Sequence, residues 1–141
     1  QNVDRPIIHT SAACLDGDFA SSESPSLAET FLGLENRGTV AHLGSTGLET
    51  LAHHENNYFW FAVGAWEKGY STVGEAMLYG KRRFIERYGP RPYVVNGLSE
   101  FHILGDPALS LPAVPDDVDA DPIRPYRIRA WLPILGKEGR K

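Results

Sequence analysis

Apolar positions along the chain fall into short blocks divided by glycine, proline and acidic turns. Pro6 to Ala13, PIIHTSAA, is apolar and β-branched and is closed by small residues, the pattern of a strand buried in a sheet covered on both faces. A loop follows from Cys14, with turn chemistry at Asp16, Gly17 and Asp18. Ser24-Pro25 then opens a predicted helix of about three turns with Leu27, Ala28, Phe31, Leu32 and Leu34 on one apolar face, and Asn36 and Gly38 bracket its end. Gly38 to Thr46, GTVAHLGST, reads as a second strand. The order strand, helix, strand predicts parallel pairing through a right-handed crossover, and with it an α/β fold.

Further along, Asn56 to Trp66 is rich in aromatic residues, and Val73 to Tyr88 combines good helix formers with basic residues toward its end, where they favour the helix dipole. Two more helices are expected there. Gly89-Pro90-Arg91-Pro92 reads as a break, and Phe101 to Leu104 as a short strand stopped by Gly105-Asp106-Pro107. From Pro112 the composition changes. Five of the 10 prolines lie there, with an acidic cluster at Asp116, Asp117, Asp119 and Asp121 and basic residues from Arg124 onward. We therefore divide the chain into a domain at 1–111 and a tail at 112–141, whose Trp131, Leu132, Ile134 and Leu135 are apolar enough to dock on a surface. The acidic cluster reads as a solvated linker in preference to a calcium site.

With 141 residues, 42% of them hydrophobic and 23% charged, the chain suffices for one domain with a real core. A net charge of −4 leaves no electrostatic footprint for nucleic acid, and no apolar run is long enough to span a bilayer. No initiating methionine precedes Gln1 and no signal peptide is evident, so the chain reads as a processed product or a piece of a longer precursor.

The single cysteine, Cys14, cannot form an internal disulfide. It is a packed bystander, a metal ligand short of partners, or a nucleophile, and its place at the end of an apolar strand favours the last, since open α/β sheets gather ligands at that edge. Gly17, three residues on, suits a loop passing close to a bound peptide. A thiol nucleophile needs a base, normally histidine. Strand alternation sets His9 on the face opposite Cys14, while His42 and His102 lie within strands and read as packed residues. His53-His54-Glu55 reads as an exposed cluster whose adjacent histidines point apart on a helix, with no further ligands for zinc. The residues by themselves thus offer a nucleophile without a base, and call for no cofactor or metal.

Several of these blocks also recur in a fixed order: the strand ending in Ala13-Cys14, then Gly17 and Phe19, the helix with Ala28-Glu29, Gly38 to Thr46, Gly74-Glu75-Ala76, and LGDPAL from Leu104 to Leu109. Over Arg5 to Leu111 this set resembles the C-terminal half of the catalytic domain of the gingipain family of cysteine peptidases. The resemblance implies a caspase-like three-layer sandwich, mostly parallel sheet with helices on both faces, of which this chain is only part. It makes Cys14 the nucleophile, with its backbone amide in the oxyanion hole. It assigns Asp16, Gly17 and Phe19 to the loop after the nucleophile and Ser45 and Thr46 to the border of the specificity pocket. Gly47-Leu48-Glu49 lacks a tryptophan that some relatives carry there.

The family's histidine stands upstream of the cysteine, in a segment this chain does not contain. Either it comes from a separate chain after processing, or the chain is a truncated piece, or the relative is non-catalytic. The leading expectation is the nucleophile-bearing subunit of a cysteine endopeptidase, partnered by the N-terminal half of the same peptidase as a separate chain, acting on peptide or protein substrates and secreted or held at a bacterial cell envelope, with a cytoplasmic location as the alternative. The alternatives are a related caspase-fold signalling protease and a non-catalytic binding subunit docking through the aromatics of Tyr58 to Trp66.

Overall fold

A computed structural model describes residues 7–21 and 23–112. The predicted tail beyond Pro112, with its acidic cluster and apolar end, lies outside the described residues. Among the described residues eight elements follow one another: β1 (Ile7–Thr10), α1 (Leu27–Leu32), β2 (Thr39–Ser45), α2 (Leu51–Ala62), a π-helical turn (Val63–Glu67), α3 (Val73–Tyr88), α4 (Pro92–Glu100) and β3 (Phe101–Gly105).

The strands form one mixed sheet in the order β1-β2-β3. β1 runs parallel to β2, as the strand-helix-strand order predicts, with His9 opposite His42; β3 returns antiparallel, with Phe101 opposite Ser45. β1 pairs over a shorter stretch than Pro6 to Ala13, because after Ser11 donates to the Leu43 carbonyl at 3.0 Å the chain turns off the sheet toward Cys14.

Helix boundaries follow caps. Ser26 and Glu29 form a capping box that starts α1 two residues later than Ser24, and the helix stops at Gly33 after less than two turns, shorter than predicted. Thr50 caps α2 by accepting from the His53 amide, so this helix begins at Leu51 and not near Asn56. Thr72 and Glu75 form a second capping box at the start of α3, whose end at Tyr88 is sealed by Gly89 at φ 74°. The predicted break at Pro92 is instead a helix start. Proline needs no donor in the first turn, and α4 runs from it to Glu100.

The core packs Leu43 of β2 and Phe101 of β3 against Phe61 of α2 and Val73, Ala76 and Met77 of α3, with Ile8 and Tyr58 at its margin. Tyr58 meets Phe101 edge-on at 5.0 Å between ring centroids. The aromatic segment therefore divides: Phe61 is core, Tyr58, Phe59 and Trp60 are half-buried, and Trp66 is exposed. The chain after β3 is fastened to the start of α3, where the Gly74 amide donates to the Pro107 carbonyl at 2.8 Å and the Val73 amide to the Leu109 carbonyl at 3.0 Å. A Cβ on Gly74 would lie 2.9 Å from that Pro107 oxygen, so the close approach of these two segments needs glycine.

Candidate active site

Beyond β1 the chain crosses the sheet end and turns at Cys14–Gly17. Cys14 is exposed, and Leu15 directly after it adopts φ 61°, a left-handed conformation that a branched side chain adopts at a cost of about 1–2 kcal/mol. Two backbone bonds hold this turn against the end of β2: the Leu15 amide donates to the Gly47 carbonyl at 3.2 Å and the Gly17 amide to Ser45 at 2.9 Å. The thiol is thus presented on a sharp, pinned turn.

Asp16 anchors the turn from beneath. It is buried, accepts from the Ser45 amide at 3.0 Å through Oδ1, and lies 3.3 Å from His42 Nε2 through Oδ2. His42 Nδ1 in turn lies 3.0 Å from His9 Nδ1. A carboxylate only accepts, so His42 gives its Nε2–H to Asp16 and its Nδ1 receives the Nδ1–H of His9. His42 is fully buried, and this burial drives its pKa below the ordinary value against the pull of Asp16. The prediction that His42 is a packed residue agrees with this geometry. The alternation argument for His9 does not reach Cys14, since β1 ends at Thr10; His9 is occupied by His42 and by the edge of Phe31, 5.3 Å between ring centroids.

The other residues assigned to substrate contact divide by exposure. Gly17 and Ser45 are buried, and Ser45 Oγ donates to the Gly47 carbonyl at 3.0 Å. Thr46 is half-buried and donates to the Glu100 carbonyl at 3.2 Å. Phe19 is 57% exposed and meets His102 edge-on at 6.4 Å. His102 Nε2 donates to the Ser99 carbonyl.

The His53-His54-Glu55 cluster departs from expectation. Both histidines are buried, because the early start of α2 turns them inward. They do point apart. His53 stacks on Tyr93 at 5.8 Å and packs against Phe84, whereas His54 faces the thiol, its Nε2 3.8 Å from Cys14 Sγ. Cys14 Sγ also donates to the Glu49 carbonyl at 3.2 Å. On its far side His54 Nδ1 lies 3.4 Å from Glu49 Oε2 without hydrogen-bond geometry, and neither Nδ1 nor either Glu49 oxygen has another partner among the described residues. Burial, with Glu100 and Asp16 nearby, pushes the Glu49 carboxyl up to about 7 against the pull of Lys81. Burial lowers His54. Sequence reasoning took the two histidines for an exposed pair pointing apart on a helix; Thr50, three residues before His53 and the cap that starts α2 at Leu51, was the available signal for their burial.

An exposed thiol on a strained turn at a sheet edge, with an imidazole and a carboxyl in line behind it, has the parts of a cysteine-nucleophile site. The chain belongs to peptidase family C25, whose model matches residues 1–112. Among solved structures it is similar to the Arg-specific cysteine proteinase gingipain R (RgpB), at 25% identity and a TM-score of 0.71 over 79% of this chain and 27% of that one. A complex of the Porphyromonas gingivalis RgpB pro- and mature domains is similar at 26% identity and a TM-score of 0.62, over 69% of this chain and 24% of that one. The chain thus spans 27% of the gingipain's length. No curated protein matches it. The caspase-like fold expected from the sequence resemblance is the fold found, here as part of a domain.

Proposed function

We propose that this chain carries the nucleophile of a cysteine endopeptidase. Cys14 Sγ attacks a peptide carbonyl, the carbonyl electrons move onto oxygen beside the Cys14 backbone amide, and the C–N bond breaks to release an amine and leave a thioester. Water then attacks the thioester and regenerates the thiol. Exposure of Cys14 on the left-handed turn at Leu15, within the residues matched to a peptidase family, carries the reading. Phe19 and Thr46 border the substrate, while Asp16, Gly17 and Ser45 act from below by fixing the turn.

β1 is an edge strand of the described sheet, with Ile7 49% exposed. An upstream segment or separate chain, the N-terminal half of the same peptidase, pairs along that edge and completes the sheet and the specificity pocket. Secretion or attachment to a bacterial cell envelope belongs to the same reading; among the described residues no helix is long and apolar enough to cross a membrane.

The test is Cys14→Ala in the purified protein, with a peptidyl acyloxymethyl ketone as probe. The expected outcome is loss of peptide hydrolysis to background and loss of the covalent adduct, with an unchanged thermal melt because the side chain is exposed. Retained hydrolysis overturns the proposal. An active preparation whose Cys14 the probe leaves unmodified overturns it too. A folded but inactive wild-type protein would turn attention to a binding role.

A further inference from the structure

We infer that Glu49 is the catch of a pH-sensitive clasp beside the Cys14 turn: protonated, its buried carboxyl holds residues 47–49 closed against the turn, and ionised it releases them. The consequence for catalysis rests on Cys14 being the nucleophile; the clasp itself does not.

Residues 47–49 form a ledge between two pins. On one side the Thr46 amide donates to the Glu100 carbonyl at 2.8 Å, and on the other Thr50 caps α2. The ledge carries the turn through main-chain carbonyls: that of Gly47 accepts from the Leu15 amide at 3.2 Å, and that of Glu49 from Cys14 Sγ at 3.2 Å. Glu49 thus joins the turn by its main chain while its side chain runs inward. There it is fully buried, and neither carboxyl oxygen has a hydrogen-bond partner among the described residues. Buried polar groups are normally paired, so the bonding within the fold leaves the place of this carboxyl to its charge state.

The groups that face Glu49 decide what each state does. His54 of α2 brings Nδ1 to 3.4 Å, itself unpartnered, and burial favours its neutral form. A protonated Glu49 donates its O–H there, and one bond completes two buried atoms with no charge placed in the interior. An ionised Glu49 meets Asp16 of the turn and Glu100 at the end of α4, whose carboxyl lies so near that a Cβ on Gly47 would stand 2.7 Å from its Cδ. Tyr58 of α2 has given its hydroxyl to the Leu43 carbonyl. Lys81 of α3 attracts the anion, but its Nζ is spent on the Leu98 carbonyl at 2.7 Å. A buried anion so placed gains by reaching water, and it carries residues 47–49 with it. The Leu15 amide then loses its acceptor, and the Cys14 thiol loses the contact that occupies it. Closed, Glu49 titrates about 7, against 4.5 for an ordinary glutamate. The closed form therefore binds the proton more tightly, so closure is strongest below pH 4.5 and weakens as pH rises to 7. The thiol is held at mildly acid pH and freed toward neutrality.

The test is amide hydrogen exchange followed by NMR in the purified protein at about pH 5 to 8, corrected for the intrinsic rise of exchange with pH, in wild type and Glu49→Gln. Protection of the Leu15 amide in wild type should fall about tenfold per pH unit, roughly a hundredfold from pH 5 to 7, and level off above. In Glu49→Gln, whose side chain cannot ionise, it should stay flat. Urea below the unfolding transition should leave the Leu15 rate unchanged, because lifting a three-residue ledge exposes little surface. Wild-type protection that ignores pH overturns the inference, and so does a pH dependence that persists in Glu49→Gln. A Leu15 rate that climbs with urea as global unfolding does would place Glu49 in overall stability and overturns it too. None of these readings needs turnover, and Cys14→Ala judges the nucleophile separately, so either conclusion can fail while the other stands.

Discussion

Two buried carboxyl–imidazole pairs flank the Cys14 turn, nearly equal in length and opposite in character. Asp16 and His42 stand 3.3 Å apart, and Glu49 and His54 3.4 Å. The first pair is saturated. Asp16 holds a backbone amide with one oxygen and His42 with the other, and His42 passes the chain on to His9. The second is unsettled: both Glu49 oxygens and His54 Nδ1 lack hydrogen bonds among the described residues, and the free end of the imidazole faces a thiol. A carboxylate with all its bonds made fastens structure. One held near its titration point by burial is free to change state, and chemistry needs that freedom.

If the contrast is right, removing the two carboxylates has opposite consequences. Asp16→Ala strands the Ser45 amide and the His42 N–H in the interior and should destabilise by about 3 kcal/mol in a urea titration. Glu49→Gln should do the reverse above neutrality. A carboxyl raised to about 7 in the fold binds more protons there than in the unfolded chain, so wild-type stability falls as pH rises from 4.5 through 7. Melting temperatures should therefore show Glu49→Gln above wild type at pH 8, with the gap closing as the pH approaches 4.5. A variant that melts below wild type at pH 8 would mean that Glu49 is a fastener like Asp16.

The difference between the pairs also explains what could be read from the chain alone. Elements whose signals are local were legible: β1, β2, the whole of α3, β3 and the place of Cys14 at a sheet edge. His42 was recognisable as packed because strand periodicity buries it. At α1 and α2, elements set by caps were displaced. Ser26 with Glu29 and Thr72 with Glu75 carry the capping-box spacing, and Thr50 caps α2, yet the aromatic block drew the predicted start of α2 toward Asn56. His53 and His54 were read as an exposed pair on a helix, and without the Thr50 cap nothing showed that the first turn of α2 faces inward. Pro92 was misjudged for a related reason, since proline breaks a helix interior but suits a first turn. The pairing of Glu49 with His54 and of His54 with Cys14 spans 40 positions at its longest and depends on how β1 and β2 align, which no local pattern encodes.

The saturated pair leaves no room for added volume. A Cβ on Gly44 would lie 2.5 Å from His42 Nε2 and 2.6 Å from Asp16 Oδ1, where neither neighbour can retreat without dropping a bond. Gly44→Ala should destabilise by about 1–3 kcal/mol, the usual range for overpacking a filled interior, and chemical denaturation would measure it. A variant as stable as wild type would show that the Asp16–His42 contact is slack.

The smallest effect, and the sharpest probe of the unsettled pair, comes from Thr50. Its hydroxyl caps α2 through the His53 amide, one residue from His54 and one from Glu49. Replacing it with alanine removes a single exposed cap and should cost about 1 kcal/mol of stability. Its second effect falls on geometry, because the cap fixes where the first turn of α2 sets the imidazole relative to the Glu49 carbonyl that receives the Cys14 thiol. Thr50→Ala should therefore change the rate at which the peptidyl acyloxymethyl ketone modifies Cys14 by more than its stability loss explains, while Ser26→Ala, an equivalent loss of cap at α1, should lower stability by a similar amount and leave that rate alone. Equal behaviour of the two variants would mean that the first turn of α2 is no closer to the chemistry than any other helix end.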